Sequence, residues 1–321
     1  MKPRLVFVHG IGGPRDVAAE CKEWLQELAA GARAAGHSHR VLDLMQGWAA
    51  DARFAYYGDL FRPPEAQGAE SGAGKDADND LVVGLLLEAV DERLADPGLG
   101  GTEERTLRHA RAQLAPTGVP QGAGSAGRRA LNALTTLMSV PGLRRIGGWG
   151  ASRLTVTALG QVARYLGRGE PDSDGLTLDT RIRQRVADTL DPEGPTIVVS
   201  HSLGTVVALE TLHAHQGFSV PLLVTLGSPI GMRTVVLPHL RPQPLQVPAQ
   251  VGKWLNFWDR DDIIAARPRL EAFVRPNAAT VLPVTSRVDS DGVWVHPAAK
   301  YLAQPAVAGP VVEALESIAR A

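Results

Sequence analysis

A single cysteine, Cys21, stands in a chain of 321 residues, so no disulfide can close within it. An excess of either charge is missing too. Lys and Arg number 33 against 34 Asp and Glu, for a formal net charge of −1, and the arginines are dispersed rather than gathered in a stripe. Nucleic acid is therefore not an expected partner. No stretch approaches the roughly 18 uninterrupted apolar residues of a spanning helix, so no transmembrane segment is expected. Nor does a charged and then apolar leader precede the first strand-like run at Arg4, and a soluble, cytoplasmic protein is the expectation. The remainder is 44% hydrophobic and 21% charged, at a length that fits one large α/β domain with an insertion or two modest domains.

Periodicity orders the chain. "RLVFVHG" from Arg4 reads as a buried strand, residues 16–36 as a helix with Trp24, Leu25 and Leu28 on one face and Gly36 closing it, and "RVLDLM" as a second strand. "AQGAESGAGKDADND", residues 66–80, has almost no large apolar side chain and reads as a loop or linker. Helical patterns follow over 81–95, 102–115, 128–140 and 152–166, separated by "PTGVPQGAGSAG" and "PGLRRIGGWG". The last two are poor in acids and flanked by Arg128, Arg129, Arg144, Arg145 and Arg153. Such helices pack on their own core or, as a lid, offer an apolar face to a lipid-like substrate and touch a membrane surface transiently. Alternation then resumes with a helix at "TLDTRIRQRVADTL", the strand "TIVVS", a helix from Leu203, strands "PLLVTLGS" and "KWLNFW", the run "ATVLPVTSRV" and a terminal helix. The pattern predicts an α/β body from residues 1–65 and 169–321, with a mostly parallel sheet flanked by helices, and a linker plus helical insertion over 66–168. Ligands of such sheets collect at the carboxyl ends of strands, so reactive side chains should lie just past them.

"IVVSHSLGTVVAL", residues 197–209, reads as strand, tight turn and helix, with the small residues Ser200 and Gly204 on either side of Ser202. A turn of this kind presents the central hydroxyl at a helix N-terminus, although a plain connection whose serine caps a helix has the same pattern. "VFVHGIGG" places His9, Gly10 and Ile11 at the end of the first strand. The N–H of Ile11, or else Gly10, could join that of Leu203 in binding an oxyanion; a glycine-rich turn or phosphate cradle is the other reading. Gly10, Gly12 and Gly13 do not make the G-x-G-x-x-G of a dinucleotide site. After "WLNFW" come Asp259, Asp261 and Asp262. Asp262 is favoured as the acid because the apolar "IIA" after it suggests a loop returning to the protein; Asp259 is the fallback, and surface acids are the alternative. Of nine histidines only His296 follows these aspartates. His201 should diverge from Ser202, and His213 and His215 are expected to be peripheral. The resulting order is Ser, Asp, His.

Together "VFVHGIGG", "VSHSLG", "TLGSPIG", "LNFWDRDD" and "HPAAKYL" resemble the α/β-hydrolase superfamily, and the opening stretch is similar to that of small bacterial lipases. The resemblance spans Met1–Met45 and Leu176–Ala321; the helical insertion matches no pattern, and Ser200 stands where the family's G-x-S-x-G has its first glycine. It implies an α/β-hydrolase fold, Ser202 as nucleophile, His296 as base, Asp262 as acid, and Ile11 and Leu203 as oxyanion donors. An N-x-x-D-x-x-D run whose last aspartate is the acid in some intracellular lipid hydrolases adds weight to Asp262. The activity implied is hydrolysis of a carboxylic ester of an apolar acyl chain, with no metal and no cofactor. The same triad serves thioesterases, amidases and acyltransferases, and a silent hydrolase fold that binds a partner through its insertion is the reading from another class. The insertion is expected to leave the sheet after "RVLDLM" and to select the acyl chain.

Overall fold

Six short runs pair side by side, all parallel, in the order β2-β1-β3-β4-β5-β6: β1 is Arg4–Val8, β2 Asp51–Ala55, β3 Pro195–His201, β4 Ser219–Leu226, β5 Trp254–Asp259 and β6 Pro283–Val288. The helices are α1 (Val17–Ala34), α2 (Val41–Met45), α3 (Gly72–Leu94), α4 (Gly101–Leu114), α5 (Ser125–Leu137), α6 (Ser152–Gly167), α7 (Leu178–Ala187), α8 (Leu203–Ala214), α9 (Ala298–Leu302) and α10 (Pro305–Arg320). The computed structural model describes residues 2–12, 16–61, 72–116, 125–137, 152–262, 264–265, 268–290 and 295–320. Among them no helix is long and apolar enough to cross a membrane.

Strand side chains alternate between faces. Leu5, Phe7, Ile197 and Val199 pack on one side with Trp24 and Leu28 of α1 and Val307 and Val311 of α10. Val6, Val8 and Val198 pack on the other with Ile182 of α7 and Val206 and Leu209 of α8. Helices on both faces explain why the central strands are continuously apolar rather than half polar. Helix α8 is buried at every position from Leu203 to Leu212, so it has no polar face for the sequence to reveal.

Two expectations are corrected. "RVLDLM" is not the second strand: Val41–Met45 is helical, with Leu44 inside and Leu42 outside. A five-residue apolar run carries no decisive period, and tertiary context sets its form. The second strand is Asp51–Ala55, registered from Arg4 opposite Asp51 to Val8 opposite Ala55, and its charged start, where Asp51 bonds Arg53, disguised it. The insertion therefore leaves the sheet after β2. The supposed linker is also in part helix, since α3 begins at Gly72. Its first turns need no apolar residue once later turns are anchored, because each added residue closes another backbone bond. Residues 66–71 lie outside the described residues, as do most of both glycine-rich breaks, Arg144 and Arg145.

Helices α3 to α6 share a core of their own, including Val82, Leu86, Leu107, Leu114, Ala130, Leu134 and Leu159. They do not stand apart from the body. Leu85 and Ala89 of α3 and Val162, Tyr165 and Leu166 of α6 pack in the same cluster as Val6 and Val198 of the sheet.

Candidate active site

The turn between β3 and α8 is strained at one residue. Ser202 has φ 53° and ψ −130°, a conformation that a non-glycine residue holds at a cost of about 1–3 kcal/mol. The surroundings fix it there. Its N–H donates to Leu226 O at 3.0 Å, and its carbonyl accepts from the Thr205 N–H at 2.9 Å and hydroxyl at 2.7 Å. Gly204 is required, because a Cβ there would meet His9 O at 2.3 Å and Val8 O at 2.5 Å. Ser200 needs no glycine in its place. It is fully buried, and its hydroxyl donates to Val224 O at 3.0 Å.

Loops after three strands meet at this turn. His296, which follows β6, has Nε2 3.0 Å from Ser202 Oγ, and its Nδ1 lies 2.9 and 2.8 Å from the two oxygens of Asp262, which follows β5. An ionised carboxylate only accepts, so Nδ1 carries the proton and Nε2 is left to accept one. All three side chains are buried. Burial pushes the Asp262 carboxyl up, but the charge and hydrogen bond of His296 and the hydroxyl of Tyr301 together pull harder, holding it below the usual carboxylate range. Tyr301 donates to Asp262 Oδ2 at 2.7 Å; burial, then the charge of Asp262, raises its own pKa well above normal, which keeps it a donor.

The other expected acids go elsewhere. Asp259 ends β5 and turns away from His296, accepting the N–H of Asp261 at 2.9 Å and of Ser290 at 2.6 Å. Asp261 is mostly exposed and pairs with Arg93 at 3.1 Å. His201 diverges from Ser202 but is not peripheral: its Nε2 donates to the backbone carbonyl of His296 at 2.6 Å, and the two rings lie 4.7 Å apart. His213 bonds Gln246 O, and neither it nor His215 lines the cavity at Ser202.

That cavity, about 230 Å³, is lined by Gly10, Ile11, Ser202 and His296 together with Trp24 and Ala298. Gly10 permits the close approach, since a Cβ on it would lie 2.6 Å from Ser202 Cβ. Leu203 opens α8, so its N–H has no acceptor within the helix. Among the described residues the lining includes none from the insertion, and much of the insertion, residues 117–124 and 138–151, lies outside the described residues. A larger cavity of about 550 Å³ beside the end of α3 reaches Asp262 but neither Ser202 nor His296.

Sequence reasoning missed Tyr301, which "HPAAKYL" contains without any local sign of its role. It also missed the packing of His9, whose ring stacks 4.2 Å from Tyr57 and accepts the Tyr57 N–H at 3.2 Å, while the Tyr57 hydroxyl donates to His9 O. These bonds hold the end of β1 beside the cavity. Comparison of the chain with family models, curated proteins and solved structures found no match.

Proposed function

We propose that this chain is a serine hydrolase of carboxylic esters with an α/β-hydrolase fold. One observation carries the reading: an unbroken hydrogen-bonded line from Ser202 through His296 to Asp262, buried, with its members on loops after β3, β6 and β5. Ionic pairs that serve only to stabilise do not need a hydroxyl on a strained residue at a helix N-terminus.

In the reaction His296 Nε2 takes the Ser202 proton as Oγ bonds to the acyl carbon. Asp262 holds the imidazole in the required tautomer and stabilises the cation. The N–H groups of Leu203 and Ile11, with Gly10 as the neighbouring alternative, bind the oxyanion. On collapse the alcohol leaves with the proton from His296, and water repeats the cycle on the acyl-enzyme. A cavity of about 230 Å³ is smaller than the roughly 300–1,000 Å³ of sites for drug-sized ligands, which favours a compact acyl group over a long chain.

The test is labelling with a fluorophosphonate probe together with hydrolysis of a nitrophenyl ester series from acetyl upward. Wild-type protein should be labelled and active, most so on short esters; Ser202→Ala should lose both signals and Ser200→Ala should keep them. Absence of labelling and turnover in folded wild-type protein would reject the hydrolase reading in favour of a partner-binding scaffold.

A further inference from the structure

Helices of the insertion hold several loops at the carboxyl ends of the strands, not all of which bear the candidate site. Glu88 of α3 accepts the backbone N–H groups of Arg233 and Thr234, past β4, at 2.6 and 3.1 Å. Arg93, also of α3, donates to Arg260 O at 3.0 Å, and Asp96 takes the Arg260 guanidinium through bonds of 2.8 and 2.9 Å. Most pointed is Gln161 of α6. Its Oε1 accepts the Gly12 N–H at 2.9 Å and its Nε2 donates to Gly12 O at 3.2 Å.

A carboxamide that engages both backbone groups of one residue acts as a neighbouring strand would, fixing the planes of the peptides on either side of it. Gly12 follows Ile11 directly, so the bond to its N–H orients the Ile11–Gly12 peptide. The preceding peptide, Gly10–Ile11, then has only the φ and ψ of Ile11 through which to turn. Ile11 itself packs against both the sheet cluster and the insertion core, which limits that freedom further. Among the described residues the Gln161 amide bonds only Gly12, while its neighbours Val162 and Ala163 supply the apolar contacts of this turn of α6.

We propose that Gln161 is a positioning residue for the oxyanion-binding loop, so that the insertion acts as a fixed brace on the site through this side chain. The proposal rests on the hydrolase reading above. A donor that meets the oxyanion only in the transition state acts on kcat and not on substrate binding, and a displacement of about 1 Å can lower the rate by roughly 10²-fold.

Gln161→Leu, which keeps the bulk and loses both bonds, should lower kcat by about 10²-fold with KM nearly unchanged, and slow fluorophosphonate labelling of Ser202 in parallel. The pH profile of kcat/KM should keep its midpoint, because His296 and Asp262 are untouched. Gln161→Glu keeps an acceptor for the Gly12 N–H and loses the donor, and should fall between; it also serves if the leucine variant does not fold. Glu88→Gln is the comparison, since it weakens an insertion contact away from the oxyanion loop and should lower the melting temperature with kcat intact. Wild-type kcat in folded Gln161 variants, or a loss of kcat in Glu88→Gln as large as that in Gln161→Leu, would overturn the proposal while leaving the hydrolase reading in place. Failure of the wild-type protein to hydrolyse any ester or to be labelled would instead overturn the hydrolase reading itself.

Discussion

Asp262 has four contacts for its two oxygens: His296 Nδ1 reaches both, Ile264 N–H reaches Oδ1 at 3.0 Å, and the Tyr301 hydroxyl reaches Oδ2. Tyr301 in turn accepts the Asp259 N–H at 3.1 Å, tying the acid to the end of β5. Replacing Asp262 by Asn puts a donor opposite the Nδ1–H and selects the wrong tautomer, so kcat should drop by about 10⁴-fold. Asp259→Asn should disturb its loop and lower thermal stability with a far smaller loss of kcat; steady-state kinetics of the two variants checks this, and a larger loss from Asp259→Asn would move the acid. The same variant has a signature in stability. The folded Asp262 carboxyl titrates below its unfolded value, so the stability it contributes is present above about pH 4 and is lost as pH falls through the folded pKa. Thermal melts between pH 7 and pH 2 should show a shallower acid decline for Asp262→Asn than for wild type.

Among the elements, α8 has the heaviest demands. It is packed on all sides, it begins at the strained Ser202, and Gly204 brings its first turn against the end of β1. Gly204→Ala removes the destabilising freedom of glycine in a helix, worth about 1 kcal/mol on propensity alone. The contacts of 2.3 and 2.5 Å that the new Cβ would make are with backbone carbonyls, which cannot rotate aside. The steric term should win. The variant is expected to melt lower than wild type and to lose most ester hydrolysis, because any relief moves Ser202 away from Gly10; equal or higher melting temperature by calorimetry would contradict this. Helix α3 shows the complementary case. It has one row of apolar residues for the insertion core and another, Leu85 and Ala89, for the sheet cluster.

For the molecule as a whole, the return from the insertion to the body is locked by buried charge. Arg168, with φ 53°, donates to Asp179 at 2.8 Å and to Glu210 at 2.5 Å, while Tyr165 donates to the other oxygen of Glu210 at 2.7 Å. Glu210 lies on α8, so the same network joins α6, α7 and the helix that begins at Ser202. Removing one member of a buried pair strands its partner, typically at about 3–5 kcal/mol. Arg183, 2.9 Å from Asp179 and 3.6 Å from Glu210, partly takes its place, which sets Arg168→Met at the lower end of that range. Urea unfolding of this variant should show one transition at reduced midpoint, since insertion and sheet share a core; two separated transitions would show that they unfold independently.

The sequence by itself determined what depends on near neighbours along the chain. Short continuous apolar runs marked β1 and β3 as buried strands, small residues around Ser202 marked the turn, and the order of Ser202, Asp262 and His296 matched the strand ends at which they lie. Periods of two and of 3.6 residues are properties of the backbone, and they survive in the sequence wherever a face is buried. Tertiary structure decided what depends on residues far apart. The apolar run after Asp262 favoured it over Asp259 in the sequence, but the opposite aim of the two carboxylates in one loop, one toward Tyr301 and His296 and the other toward Ser290, is set by contacts that no local pattern records. β2 was hidden because pairing with β1 in the sheet, not apolar alternation, makes Asp51–Ala55 a strand. Gln161 reaches Gly12 across 149 positions of sequence, and an amide on a helix looks the same whether it faces water or grips a backbone. A hydrogen bond is specified by position in space, and only the packed chain supplies that.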